Sequence, residues 1–360
     1  MTTSPPRTGL IEINTNAIVQ NYHTLCAHVP HSTCAAVLKA DAYGFGTEHI
    51  APLLFAQGCR HFFVAHIEEG LFLRSLLPEP TIYVLSGILP GTEALCVKYH
   101  LTPILTDFGM VERWAAEARA RECKLPCGLH MDTGMNRSGF DAQDTAKLFN
   151  NLNVLEPLSL EVVMSHLASS ADSGDPMNAQ QKALFDQFRS AFPGTKASLA
   201  DTGGVYLPPA FHYDIVRTGK GLFGLYSPPE GASPLRPCLK LLGRILQVRT
   251  AAKGESVGYG ASHILTRDSK LATLGIGFAD GYDRRLSNVA SVMIGGHHAP
   301  VVGRISMDYT VVDVTDIPEP IGEWAECVND TITLDTLAHM AGTISREFST
   351  GFKGLKRVYV

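Results

Sequence analysis

The chain has 360 residues, 45% of them apolar, which is enough for one large domain and a smaller one. Its 30 basic and 35 acidic side chains give a formal charge of -5 without long runs of like charge. This balance argues against a nucleic-acid or membrane-surface partner and favours a small ligand. Residues 1–7 contain no apolar core of signal-peptide length, and no stretch of the chain could span a bilayer. We therefore expect a cytoplasmic protein.

The eight cysteines are spread from Cys26 to Cys327 in a large chain, which is not typical of a disulfide framework. We expect them to be reduced thiols. Cys123 and Cys127 have no matching His/Cys cluster, and the 14 histidines show no paired helical spacing. The sequence therefore predicts no metal site.

Strand-length apolar runs alternate with helix-like segments through the first two thirds of the chain. A short alternating strand at residues 8–13 and a helical pattern at 17–28 come first. Eight apolar runs follow, at residues 35–39, 61–65, 81–86, 101–105, 127–132, 160–166, 196–201 and 214–219. Helix-like segments separate most of them, at residues 48–57, 67–77, 92–99, 110–120, 142–152 and 179–192. This alternation predicts parallel pairing and fits an α/β fold with a (β/α)8 barrel of the TIM type. An open doubly wound sheet is the alternative, although no dinucleotide-type glycine fingerprint follows the first strand.

The pattern changes after the prolines at positions 228, 229, 234 and 237. Strands joined by turns are predicted at residues 239–250, 270–278, 290–294, 299–305 and 310–314, with one late helix near 334–341. We therefore predict a cofactor-binding barrel domain at residues 8–236 and a mostly β domain at residues 237–360.

Chemically versatile residues occur where the predicted barrel strands end, and active sites of (β/α)8 barrels form at that edge. Lys39 ends the first strand, His166 ends the sixth, and Arg217 lies on the eighth ahead of Gly219. The loop carrying Arg137 and the segment Thr202-Gly203-Gly204 follow the fifth and seventh strands. Each alone has a simpler explanation: Lys39 as a strand-end lysine that reaches water, His166 as a core histidine, and the glycines as a plain turn. Together they provide the amine, cations and glycine-rich anion cradle that a phosphorylated cofactor bound through lysine requires.

Five segments in this order match motifs of one enzyme family: Val37-Leu38-Lys39-Ala40-Asp41-Ala42-Tyr43-Gly44, Met131-Asp132-Thr133-Gly134-Met135-Asn136-Arg137-Ser138-Gly139, Gly258-Tyr259-Gly260-Ala261, Gly277-Phe278-Ala279-Asp280-Gly281 and Val302-Gly303-Arg304-Ile305-Ser306-Met307-Asp308. At these residues the chain resembles the alanine racemases, isomerases that use pyridoxal 5'-phosphate and combine a barrel with a β domain. The resemblance runs from Ile11 to Tyr359. It implies interconversion of L- and D-alanine, and hence supply of D-alanine for peptidoglycan.

The resemblance also implies residue roles. Lys39 would hold the cofactor as a Schiff base and serve as the base facing the D-amino acid. Tyr259 would be the opposite base, contributed by a second subunit, which implies a homodimer with shared active sites. Arg217 would face the pyridine nitrogen without giving up its proton. The remaining implied contacts are to the cofactor phosphate (Tyr43, Thr202, Gly219, Lys220), to the cofactor ring (His166, Arg137) and to the small amino-acid substrate (Arg137, Met307).

Several positions depart from the family pattern. His130 stands where many members carry a modified lysine, and Ser198 and Asp201 replace a histidine and an asparagine. Phe278 replaces a tyrosine at the substrate entrance, which leaves open a broader or serine-type racemase. Lys353 falls where a phosphate-binding tyrosine is expected, and we hypothesise that it is a cationic phosphate ligand, helped by Lys220.

Two further hypotheses have less support from the sequence. A related barrel decarboxylase would share the chemistry of Lys39, but it should lack the segments around Tyr259 and Arg137. A non-catalytic carrier of the cofactor would resemble the barrel alone, so the predicted β domain argues against it.

Overall fold

A computed structural model describes residues 8–228 and 235–360, so residues 1–7 and the prolines at 229 and 234 lie outside the described residues. The chain divides into two compact units. One unit is Val19–Leu235, and the other combines the N-terminal segment up to Ile18 with Arg236–Val360. In the described ranges no helix has the length and apolar character needed to cross a membrane.

The first unit is an eight-stranded parallel barrel. The chain begins with strand β1 (Gly9–Ile13) and helix α1 (Thr15–His28), and the barrel strands follow. They are β2 (Thr33–Val37), β3 (His61–Val64), β4 (Thr81–Val84), β5 (Leu101–Leu105), β6 (Leu125–His130), β7 (Leu158–Met164), β8 (Lys196–Ser198) and β9 (Ile215–Thr218). The connecting helical segments are α2 (Lys39–Tyr43), α3 (Thr47–Ala56), α4 (Ile67–Leu76), α5 (Glu93–Lys98), α6 (Phe108–Ala120), α7 (Ala142–Asn150) and α8 (Pro176–Arg189). This confirms the predicted (β/α)8 architecture.

Backbone hydrogen bonds close the sheet between its first and last members. The strand order runs from β8 through β7 down to β2 and then to β9. Across the remaining seam, Arg217 N–H donates to Ala200 O at 2.9 Å, and Asp214 N–H donates to Ala197 O at 3.0 Å. The open doubly wound sheet is therefore excluded.

The barrel interior is filled by side chains from successive strands. Phe63 and Tyr83 stack with ring centroids 4.4 Å apart. They belong to a buried cluster with Ala35, Val37, Ile104, Val162, Met164 and Ile215. Because these side chains fill the barrel interior, ligands can bind only at the two ends of the barrel.

The second unit is a mostly β structure. Its elements are β10 (Leu239–Ala251), β11 (Ser256–Val257), β12 (His263–Ile264), β13 (Ser269–Leu274), β14 (Ser291–Ile294), β15 (His297–Pro300), β16 (Thr310–Asp313), β17 (Trp324–Val328), α9 (Leu334–Met340), α10 (Ser345–Gly351) and β18 (Lys356–Tyr359). The sheet contains β15, β14, β17, β10, β1 and β18 in that order, and β13 joins β10 to β16. The prediction of a strand at residues 299–305 is wrong, since β15 ends at Pro300.

Strand β1 belongs to this second unit rather than to the barrel. It pairs antiparallel with β10 and parallel with β18. Its alternating pattern buries Ile11 and Ile13 completely, which indicates a strand but does not identify its partners. The predicted start of the barrel domain at residue 8 therefore differs from the structure, in which the barrel unit begins at Val19.

Gly128 on β6 provides a test of the close packing inside the barrel. A Cβ there would lie 2.5 Å from Ile104 Cδ1 and 2.8 Å from Val162 Cγ1, both in the buried cluster. We expect Gly128→Ala to lower the free energy of unfolding by about 1–3 kcal/mol through overpacking, as measured by urea denaturation. Gly174→Ala is the matched control, because its Cβ would make only an ordinary contact at 3.4 Å. Equal stabilities of the two variants would contradict the predicted packing.

Candidate active site

Six of the predicted site residues meet at the carboxyl end of the barrel. Arg217 Nη2 lies 3.1 Å from His166 Nδ1, and Lys39 is close enough for its charge to act on His166. Thr202 hydrogen-bonds Gly219, and Gly219 lies against the hydroxyl of Tyr43. The strand ends β2, β7 and β9 and the loop after β8 therefore supply one site.

Lys39 opens an unusual left-handed turn. Ala40, Asp41, Ala42 and Tyr43 all have φ between 52° and 57°, a region that is unfavourable by about 1–2 kcal/mol for each residue with a side chain. The turn ends at Gly44, whose φ of 88° needs no such compensation. This conformation brings Tyr43 back toward Gly219. Nothing in the sequence Ala-Asp-Ala-Tyr indicates the hand of this turn.

Thr202 organises the loop that follows β9. Its buried Oγ1 accepts hydrogen bonds from the N–H groups of Gly219 and Gly221, both at 3.2 Å. A side chain at position 219 would overlap the hydroxyl of Tyr43, so only glycine fits at this position. The Nζ of neighbouring Lys220 lies 4.5 Å from the ring centroid of Tyr226. The hydroxyl of Tyr43 and the backbone at Gly219, which it approaches closely, thus form a small polar cradle.

Arg217 is a buried cation whose side chain bonds to two other strands or their ends, β7 and β8. Only 4% of the residue is exposed, and Nη1 donates to Ser198 Oγ at 2.6 Å. Nη2 donates to Ser165 O at 2.7 Å and to His166 Nδ1. Burial lowers the pKa of Arg217 to about 10, although Asp201 opposes this shift, so the side chain stays charged at neutral pH. Among the described residues, the Nε–H of Arg217 donates to no protein group.

His166 is neutral at physiological pH. Burial, followed by the charge of Arg217, lowers its pKa to about 4. Because Arg217 can only donate, Nδ1 of His166 must accept, which assigns the proton of the neutral ring to Nε2. His166 therefore offers an uncharged aromatic face at the barrel mouth.

The two departures near Arg217 have clear roles. The Ser198 hydroxyl accepts from Arg217 and donates to Ile215 O at 2.7 Å, so it supports the guanidinium without an imidazole. Burial opposes the ionisation of Asp201, but the interaction with His166, the charge of Lys220 and a hydrogen bond from Ser170 hold its pKa below the usual value. Asp201 Oδ1 also accepts from Gly204 N–H at 3.0 Å. The replaced asparagine thus becomes an anion beside a cationic site.

Two residues that support the site were not identified from the sequence. The side-chain nitrogen of buried Gln181 donates to His166 O at 2.9 Å and to Thr133 Oγ1 at 3.1 Å. Glu69 hydrogen-bonds the residue after Lys39, Ala40. Neither could be identified from a motif, because the bonds from Glu69 to Ala40 and from Gln181 to Thr133 join residues distant in sequence.

The loop that carries Arg137 is shaped by Asp132. Asp132 Oδ1 accepts from the N–H groups of Gly134, Met135 and Asn136 at 2.9–3.1 Å. Arg137 itself is exposed, and its charge acts on Arg217, His166 and His130. Arg137 therefore lies near the buried charges of the site.

Tyr259, Met307 and Lys353 belong to the second unit. Tyr259 is 69% exposed and Met307 is 56% exposed. The loops around them are tied together, since Phe278 N–H donates to Ser306 O and Ala279 N–H donates to Met307 O, both at 3.0 Å. Lys353 is exposed, and its backbone N–H donates to Asp280 O at 3.3 Å. The roles of these three residues remain predictions.

Comparison with known proteins identifies the family. The family model "Alanine racemase, N-terminal domain" matches residues 13–227, and "Alanine racemase, C-terminal domain" matches residues 238–359. The chain belongs to the alanine racemase family. The resemblance noted from its motifs is thereby confirmed.

Named alanine racemases match this family member over nearly their full length. The alanine racemase of Rhodospirillum rubrum is 40% identical over 348 residues, covering 95% of this chain and 93% of the relative. The alanine racemase of Brucella abortus is 35% identical over 370 residues, covering 98% of this chain and 93% of the relative. The crystal structure of the Bartonella henselae alanine racemase, with covalently bound pyridoxal phosphate, superposes with a TM-score of 0.94 at 37% identity over 99% of this chain and 100% of that one.

His130 should make stability depend on pH. Burial and interactions with the nearby Arg217, His166 and Arg137 lower its pKa from 6.5 to about 3. Between these values the unfolded state binds a proton that the native state excludes, so stability falls as the pH falls from 6.5 toward 3. The free energy of unfolding should drop between pH 7 and pH 4.5 in both proteins. We expect this drop to be about 2.5 kcal/mol smaller for His130→Gln than for the wild type, as measured by urea denaturation.

Exposed His31 provides the control for this measurement. His31→Gln should follow the wild-type profile. A His130→Gln profile parallel to the wild type would show that His130 titrates normally in the folded protein.

Proposed function

We propose that this chain is a pyridoxal 5'-phosphate-dependent racemase that interconverts L- and D-alanine. The observation that carries the proposal is a lysine at the end of a barrel strand, at the same barrel mouth as a buried arginine, a neutral histidine and a small polar cradle. Membership of the alanine racemase family supports it throughout the chain.

The residues at the barrel mouth fit this cofactor. Tyr43, Thr202 and the Gly219–Lys220 backbone would hold its phosphate, where the lack of a side chain at position 219 leaves room. The unused Nε–H of Arg217 would donate to the ring nitrogen, and Arg137 would contact the ring hydroxyl. Joined to the substrate amine in place of Lys39, the cofactor would withdraw electrons from the substrate Cα and thereby make its proton removable.

Arg217 orients the reaction by keeping its proton. A pKa of about 10 leaves it charged at neutral pH, so it would donate a hydrogen bond to the ring without transferring the proton. Electron withdrawal from Cα would then be moderate, and prompt return of a proton would be favoured over side reactions. His166 would lie beside the ring in its neutral form.

Two bases would serve the two faces of Cα. The amine of Lys39 would exchange a proton with the D-isomer, and the phenol of Tyr259 from a second copy of the chain would serve the L-isomer. Exposure of Tyr259 on its own unit is compatible with entry into a partner's site. The active form is therefore a homodimer with shared sites, in which Met307 would bind the substrate carboxylate through its backbone and Lys353 the phosphate.

Replacement of the phenol should separate the two half-reactions. In heavy water, Tyr259→Phe should lose about 10²- to 10⁴-fold in exchange of the Cα proton of L-alanine while it retains exchange with D-alanine through Lys39. Both can be followed by NMR. Tyr309→Phe, at an exposed position on a neighbouring loop, should behave as wild type. Coloured wild-type protein without any exchange would instead indicate a cofactor carrier, and release of carbon dioxide a decarboxylase.

Mixed dimers test the sharing of sites. Lys39→Ala and Tyr259→Phe should each be inactive in racemisation. When the two chains are co-expressed with separate tags, one of the two sites in each hybrid dimer regains both bases. The isolated hybrid should therefore have about half of the wild-type activity, and the unfractionated mixture about a quarter, because roughly half of its dimers are hybrids. An isolated hybrid without activity would show that both bases come from one chain.

A further inference from the structure

Glu69 joins two segments of the barrel mouth through one carboxylate. Its Oε1 accepts a hydrogen bond from Ala40 N–H at 2.6 Å, and its Oε2 accepts from Ala65 N–H at 2.7 Å and His66 N–H at 3.2 Å. Ala40 directly follows Lys39, whereas Ala65 and His66 follow β3 and lead into α4. The carboxylate thus connects the start of the left-handed turn after Lys39 to the end of β3.

Helix capping explains only one of these oxygens. Glu69 is the third residue of α4 and forms a capping box with His66 at the helix start. This requires an acceptor for the N–H of His66, which Oε2 already provides. The short bond from Oε1 to Ala40 therefore has another purpose.

The turn after Lys39 needs external restraint. Four consecutive residues with side chains in the left-handed region are unfavourable, and such a conformation persists only where its surroundings determine it. Asp41 ties the turn to the start of α3, because its Oδ1 accepts from Thr47 N–H at 2.7 Å. Glu69 restrains the near end, at the first left-handed residue. An ionised acceptor makes this bond stronger than a neutral one would.

We propose that Glu69 is a positioning residue that holds the amine of Lys39 and the hydroxyl of Tyr43 in place through the Ala40 N–H. Without this bond the turn relaxes toward more favourable angles. Lys39 and Tyr43 then move apart from the cradle at Gly219. The inference rests on the proposed function, since these two groups would bind the cofactor.

Glu69→Gln removes this bond selectively. A glutamine has one oxygen, which can keep the helix cap, but its amide nitrogen cannot accept from Ala40. Glu68→Gln is the matched control, because it removes the same charge from the adjacent, exposed position. Glu69→Asp retains the charge but is too short to reach both segments.

The decisive measurement is titration of each apoprotein with pyridoxal 5'-phosphate, followed by the absorbance of the lysine adduct, beside thermal unfolding of the same proteins. Relative to Glu68→Gln, we expect Glu69→Gln and Glu69→Asp to bind the cofactor about tenfold more weakly. The pH midpoint of the adduct absorbance should also shift, because the amine of Lys39 is displaced. In the loaded enzyme kcat should fall more than KM for alanine changes.

Equal cofactor affinity and equal pH midpoints in Glu69→Gln and Glu68→Gln would overturn the proposal, as would a loss of thermal stability alone, which a purely structural cap predicts. If wild-type protein binds the cofactor but does not racemise alanine, the proposed function fails while the affinity comparison still decides the role of Glu69. Should Glu69→Gln not fold, the same comparison of Glu69→Asp with Glu68→Gln decides it.

Discussion

The buried charge of Arg217 is the constraint on which both the barrel seam and its mouth depend. An unpaired cation in a protein interior is unfavourable by several kcal/mol, so its hydrogen bonds must be fixed in advance. Its backbone N–H closes β9 onto the segment after β8, and its guanidinium bonds Ser198 and the chain at Ser165 and His166. One residue therefore aligns the last three barrel strands and sets the charge of the site they surround.

The same cation determines the protonation of its neighbours. It helps to hold His166 neutral with a defined tautomer, and its positive charge favours an ionised Asp201 nearby. Ser198 can replace an imidazole because Arg217 needs only an acceptor at this point. The departures from the family pattern thus preserve the fixed, fully charged guanidinium even though the side chains around it differ.

The barrel was predictable because every strand and helix carries its own local period, and the rim residues followed from where the strands end. The strands with which a given strand pairs are not encoded in its local sequence. This is why β1 was assigned to the wrong unit and why β17, β18 and α10 were missed. The left-handed turn after Lys39 contains no glycine until Gly44, so no propensity indicates it. Glu69 and Gln181 act across 29 and 48 residues of sequence, and such bonds leave no periodic pattern.

Tyr259 combines exposure with a fixed backbone, and this combination favours a role outside its own chain. Gly258 and Gly260 flank it with φ of 73° and 69°, which gives the loop a shape that few other sequences adopt. Adjoining loops are joined by the bonds between Phe278 and Ser306 and between Ala279 and Met307. A side chain presented on a rigid loop loses little conformational freedom when a second molecule covers it. Racemisation needs a proton donor and acceptor on each face of one carbon, and in the proposed function this phenol would serve the face opposite Lys39.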